Sequence, residues 1–234
     1  MSEAGFIEPG NSGLHSRIER WLRWAAAVVA SLAVLSVAGR LVLGRLPATE
    51  QNLAWARRVL VREELRPEWD WLVNIATHKT GARVRELVDE VELTHLQRGR
   101  FAKGLSGVDF RTFVLSPHID AESAQSGWRR IFWEHFAPRV RREQDASAAA
   151  TLVAMEVRRR LSPLRDGLES SSLRDAWREG RASPQGFEAI YTAALRSVGI
   201  AARLDAARRT EFWDGAAWRP APRPLIELNE LPAK

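Results

Sequence analysis

Residues 180–203, GRASPQGFEAIYTAALRSVGIAAR, decide how this chain is read. Ser183 followed by Pro184 marks a helix start: a hydroxyl that accepts from free backbone N–H groups, then a residue with helical φ and no N–H to leave unpaired. Phe187, Ile190, Tyr191, Ala194, Leu195 and Val198 recur at helical spacing and predict one apolar face. Gly199 suits the left-handed residue that ends such a helix. Residues 200–204 then read as a strand, so the unit is a buried helix feeding directly into a sheet.

Downstream, 208–222 reads RRTEFWDGAAWRPAP, in which 210–213 and 217–219 flank an Asp214-Gly215 hairpin turn. The helix, the strand after it and this hairpin resemble the transglutaminase-like branch of the papain-like cysteine enzymes. That family's signature is Cys, a helix of about this length, then Arg-x-x-Gly-Ile-Pro-x-Arg. Its tail is matched by Arg196, Ser197, Val198, Gly199, Ile200, Ala201, Ala202 and Arg203, with Ala201 where the family has proline. Upstream, 113–122 (FVLSPHIDAE) and Trp128-Arg129 resemble the lead-in of bacterial members, so the likeness spans 108–224.

The resemblance implies an α+β papain-like transglutaminase core, with helices packed on a small antiparallel sheet. It also implies that the triad is lost. Pro184 stands at the nucleophile position with Ser183 beside it, no histidine follows His135, and the triad Asp position falls near Pro220 or Ala221. The expectation is an inactive domain whose groove holds a peptide, a cell-envelope polymer or a protein partner. Phe187, Glu211, Trp213 and Trp218 are the expected cleft residues. One alternative is a hydrolase or acyl transferase through Ser183, with Glu211 the only ionisable acceptor on the following strand. Another is a basic module for anionic membrane or nucleic acid.

The composition narrows the chemistry further. There is no cysteine, which removes disulfides, thiolate metal sites and cysteine catalysis together. The net charge of +6 points to an anionic partner in general. Yet only Lys79, Lys103 and Lys234 among the 35 basic residues are lysine, a bias that fits a GC-rich genome better than a nucleic-acid interface. The arginine runs at 139–142 and 158–160 read as solvated helix faces. There is no Gly-rich phosphate loop, HExxH or GxSxG, so no cofactor is expected. His118, Asp120 and Glu122 alternate and could share one face of an extended segment. Without a fourth ligand at recognisable spacing they read as a polar turn, and no metal is expected. Glu134-His135 reads as a packed or surface histidine.

Residues 1–23 are read as a disordered cytoplasmic N-terminus. Residues 24–44 contain 16 uncharged residues from Trp24 to Gly39 and then Arg40. At about 1.5 Å per residue the segment spans about 31 Å, enough for a hydrocarbon core of about 30 Å, and predicts a single-pass transmembrane helix. Arg17, Arg20 and Arg23 favour an exported C-terminal domain, while Arg40, Arg45, Arg57 and Arg58 pull the other way. A cleaved signal ending at Ser36-Val37-Ala38 and a buried helix are the competing readings.

Residues 45–107 form an expected helical juxtamembrane segment. It has amphipathic helices at 50–65 and 80–98, the second with Val84, Leu87, Val88, Val91 and Leu96 inward, and a short helix or turn at 67–75. The connector 99–107 sets the boundary of a transglutaminase-like domain at 108–224, followed by a tail at 225–234. Within that domain the pattern predicts a strand at 108–116, a helix closed by Pro138 and a helix capped by Asp145 running to about 161.

Overall fold

The computed structural model describes residues 21, 22, 24, 46–76, 82–119, 127–164 and 172–223. Thr49 starts the first full helix as expected, its hydroxyl accepting from Asn52 N at 3.4 Å. Helix α1 (Glu50–Val59) buries Leu53 and Ala56. The expected helix 50–65 breaks after Val59, and a 3-10 turn (Glu63–Leu65) leads into α2 (Arg66–Ala76). Arg57 grips Asp70 through two hydrogen bonds of 2.6 and 2.7 Å, tying α1 to α2. Helix α3 (Val84–Gln97) turns Val84, Leu87, Val88 and Val91 inward against Leu65, Trp69 and Leu72. Leu96, expected on the same face, is instead 62% exposed.

The stretch 108–116, expected as a strand, is helical. Ser106 caps α4 (Gly107–Phe110) by accepting from Asp109 N at 3.1 Å. The chain continues directly into a π-helix (Arg111–Leu115), closed by Ser116 N donating to Arg111 O five residues back. Helix α5 (Arg129–Val140) runs past Pro138 to Val140, where the pattern predicts a stop. Asp145 caps α6 (Ala146–Arg160) as expected, accepting from Ala148 N at 2.8 Å. The two-residue strand β1 (Ser162–Pro163) pairs in parallel with β2 (Arg181–Ala182), and α7 (Leu173–Glu179) lies between them in sequence.

Ser183 caps α8 (Pro184–Ser197) by accepting from Gly186 N at 3.0 Å. The helix ends at Gly199, with Ile200 N bonded to Leu195 O and Gly199 N to Arg196 O, the paired closing bonds of a Schellman motif. Gly199 has φ of 85°, and a Cβ there would lie 2.6 Å from Gln97 Cβ, so both conformation and space require glycine. Helix α8 is not apolar on one face only. Every residue from Ala189 to Ser197 is buried, because α5, α6 and a sheet surround it. That sheet is antiparallel in the order β3 (Ala202–Leu204), β4 (Thr210–Trp213), β5 (Trp218–Pro220). The helix starting at Ser183 thus packs on an antiparallel sheet containing Arg203 and Glu211.

A buried ionic joint holds these parts together. Arg129 on α5 donates to the Glu90 carboxylate on α3 and to the carbonyls of Arg196, Val114 and Leu115. Arg196 on α8 donates to the carbonyls of Ala202, Ser116 and His118. Burial pushes the Glu90 carboxyl up despite Arg129, and lowers the Arg196 guanidinium to about 9. The two arginines supply the donors that the end of the π-helix cannot find in its own backbone.

The chain divides into two units, Met1–Gly44 and Arg45–Lys234. Of the first, only Trp21, Leu22 and Trp24 are described, all helical and exposed. The expected membrane-spanning helix at 24–44 is therefore a correction. Apart from Trp24 the segment lies outside the described residues, and among those no helix is long and apolar enough to cross a membrane. The longest helix described, α6, has 15 residues, about 22 Å at about 1.5 Å per residue, against a core of about 30 Å. Single-pass anchoring, a membrane partner through 24–44 and an exported C-terminal domain are withdrawn with it. Residues 1–20, His78, Asp120, Glu122 and the tail 225–234 also lie outside the described residues.

Candidate functional site

The pairing register sorts the sheet into two faces. Ala202 pairs with Phe212 and Leu204 with Thr210, while Arg203 pairs with Glu211, Glu211 with Pro220 and Trp213 with Trp218. Residues directly opposite one another share a face, and successive residues alternate. Ala202, Leu204, Thr210 and Phe212 therefore face α8, whereas Arg203, Glu211, Trp213, Trp218 and Pro220 line the outer face. Thr210 fastens the inner side, its hydroxyl 2.5 Å from Glu188 Oε2 and 3.1 Å from Thr192 Oγ1.

The four expected cleft residues do not share one groove. Phe187 is 1% exposed and belongs to the main core, and α8 fills the inner face of the sheet. Glu211, Trp213 and Trp218 stand together on the outer face. There they meet two residues the cleft reading missed, Phe113 and Arg203. The Phe113 and Trp218 rings meet edge to face at 4.9 Å, and Trp213 meets Trp218 in the same manner at 5.9 Å. The Arg203 guanidinium lies 4.2 Å from the Trp218 ring centre and 5.8 Å from that of Phe113. Glu211 holds Arg203 by its Nε and Nη2 at 3.0 and 2.9 Å. Phe110 and Val114 pack under this face against Ala201, leaving Phe113, Trp213 and Trp218 half-buried. Trp213 Nε1 donates to Lys103 O at 3.0 Å, which pins the 101–105 segment to β4.

A signal for one of the two missed residues was present in the sequence. A two-residue turn at Asp214-Gly215 sets Trp213 opposite Ala216 and Glu211 opposite Trp218, which already puts Glu211, Trp213 and Trp218 on one side. The observed loop is longer and pairs Trp213 with Trp218. Arg203 joins them once β3 is paired. Phe113 carried no usable signal, since the π-helix that presents it reads as a strand in the sequence.

Ser183 serves as a helix cap, and the first carboxylate after it on the same helix, Glu188, is bonded to the backbone N and hydroxyl of Thr210. Glu211, the acceptor that serine catalysis would need, pairs with Arg203 on the outer face. Glu188, Thr210, Glu211 and Pro220 line a shallow cavity of about 140 Å³ at the far end of β4. Among the described residues no group of three His, Cys, Asp or Glu side chains is placed to hold a metal ion. His118 uses its carbonyl to accept from Arg196 at 2.7 Å, and His135 Nε2 lies 2.7 Å from Glu156 between α5 and α6. Arg139 and Arg159 also converge on Glu156, and Arg160 stacks on Trp177. These basic side chains are therefore engaged within the fold.

Comparison with family models, with curated proteins and with solved structures found no match to the chain. The expected function, a membrane-anchored transglutaminase-like domain with its catalytic residues lost, is withdrawn on that finding and on the absence of a spanning helix among the described residues. What the chain offers in its place is an α+β fold with small sheets and an aromatic outer face on one of them.

Proposed function

We propose that this chain is a polypeptide-binding domain whose contact surface is the outer face of the β3–β5 sheet, centred on Trp218. The observation that carries this reading is the cluster of Phe113, Trp213 and Trp218. Three large aromatic rings from two distant segments make mutual edge contacts and remain half-exposed, with an arginine stacked on them. Tryptophan and arginine packed in this way are the residues that dominate binding energy at protein interfaces. The π-helix that presents Phe113 is a rare element concentrated at functional sites.

The test is selection of a 12-residue peptide display library on the full-length chain. Synthesised winners are then titrated by calorimetry against wild type, Trp218→Ala and, as a control, Val59→Ala on the exposed side of α1. The expected result is at least a ten-fold loss of affinity for Trp218→Ala with circular dichroism unchanged, and none for Val59→Ala. Winners indifferent to Trp218, or no enrichment, would overturn the proposal.

A further inference from the structure

We infer that the bound segment joins the sheet as a fourth strand on β5 and places a carboxylate side chain over Arg203; this rests on the binding reading of the outer face. The backbone bonds fix which groups β5 turns outward. Ala221 N donates to Thr210 O and Asp214 N to Ala217 O, so Phe212 and Arg219 are the pair that exchanges hydrogen bonds across the ladder. Trp218 and Pro220, the residues on either side of Arg219, must then direct their backbone groups away from β4. That leaves the Trp218 N–H, the Trp218 carbonyl and the Pro220 carbonyl along the outer edge, and no strand among the described residues pairs there.

The opposite edge is closed in a different way. Trp213 N donates to Ala201 O, which sets Ala202 facing outward on β3, and Arg196 Nε takes the Ala202 carbonyl at 2.8 Å. One edge is capped by a buried guanidinium and the other is open. An open edge beside side-chain contacts is the geometry of strand addition, in which main-chain bonds give affinity and alternate side chains give selectivity. Pro220 offers an acceptor but no donor, so the incoming segment must place an N–H opposite it.

Charge selects the side chain that lies beside Trp218. Glu211 occupies Nε and Nη2 of Arg203, whose guanidinium lies over the Trp218 ring, and no hydrogen bond from Nη1 is found among the described residues. Lys103 and Arg111, in the segment that packs on this face, have no ion pair among the described residues. The acids there are already engaged, Asp214 with Arg219 and Asp109 with Ser106. An Asp or Glu of the segment is therefore the matching group, since a charge-assisted bond to a guanidinium is about twice as strong as a neutral one.

The probe is a peptide selected as above, resynthesised with each acid changed to its amide and with single backbone N-methyl groups. Binding should weaken about ten-fold for one acid-to-amide change. N-methylation should weaken it strongly at alternate residues only. The acid preference should disappear in Arg203→Gln while Trp218 dependence remains. Trp218-dependent binding insensitive to N-methylation overturns strand addition and leaves the face reading intact. Trp218-dependent binding with no acid preference overturns the carboxylate assignment. Loss of all Trp218 dependence overturns the face itself. A Trp218-dependent dimer in sedimentation would show a second copy as the occupant and would also overturn the inference.

Discussion

Glu156 illustrates how one side chain on this surface is fixed. Its carboxyl is lowered from 4.5 to about 2, first by the hydrogen bond from Arg159 and then by His135 and Arg139. His135 beside it is lowered by burial between Phe136 and Trp177, so it is neutral at pH 7. A carboxyl with a depressed folded pKa adds stability that is present above its unfolded value and lost as pH falls toward the folded one. The stability difference between wild type and Glu156→Gln should accordingly be largest near pH 7, shrink below about pH 4.5 and be mostly gone near pH 2. Urea denaturation at pH 7, 4.5 and 3 reads this difference. A gap that widens on acidification would contradict the assignment. His135 and Glu156 are 21 residues apart and on different helices, and nothing in either local sequence indicates their pairing.

Elements were legible where their own ends carry the instruction. Ser183, Pro184 and Gly199 mark α8, and Asp145 marks α6, because caps act within a turn and need no distant partner. The 107–115 segment was not legible for the converse reason. Val108, Phe110, Thr112 and Val114 alternate as a strand would, but Ser106 starts a helix, and the carbonyls of Val114 and Leu115 are taken by Arg129 from another element. The cap at Gly199 also has a measurable cost of change. An alanine there meets a left-handed φ and the Gln97 backbone, and should lower stability by about 1–3 kcal/mol in urea denaturation. No loss would mean that α3 and α8 are not in contact at this point.

At the scale of the whole molecule, the N-terminal helices and the α5–α8 core are joined by charged side chains as well as by packing. Asp89 on α3 holds Arg130 through two bonds of 2.6 and 2.5 Å, next to the Glu90–Arg129 pair. Replacing Arg129 with Met strands the Glu90 charge and three carbonyls, and should cost about 3–5 kcal/mol. Because the joint spans both layers, tryptophan fluorescence and far-UV circular dichroism should still lose structure in one shared transition. Two separated transitions would show layers that fold independently. The sequence placed most helices, yet it could not show that α3 belongs against α5. Sequence patterns report burial, not the partner that does the burying.

The joint also orders events during synthesis. Arg129 follows Glu90 by 39 residues and Arg130 follows Asp89 by 41, so at about 5–20 residues per second the α3 acids leave the ribosome roughly 2–8 s before their partners on α5. Through that interval Val84, Leu87, Val88 and Val91 can pack on α1 and α2, but Asp89 and Glu90 wait in water until Arg129 and Arg130 emerge. Two early acids keep this side of the nascent layer soluble, and the later arginines turn it into an interior.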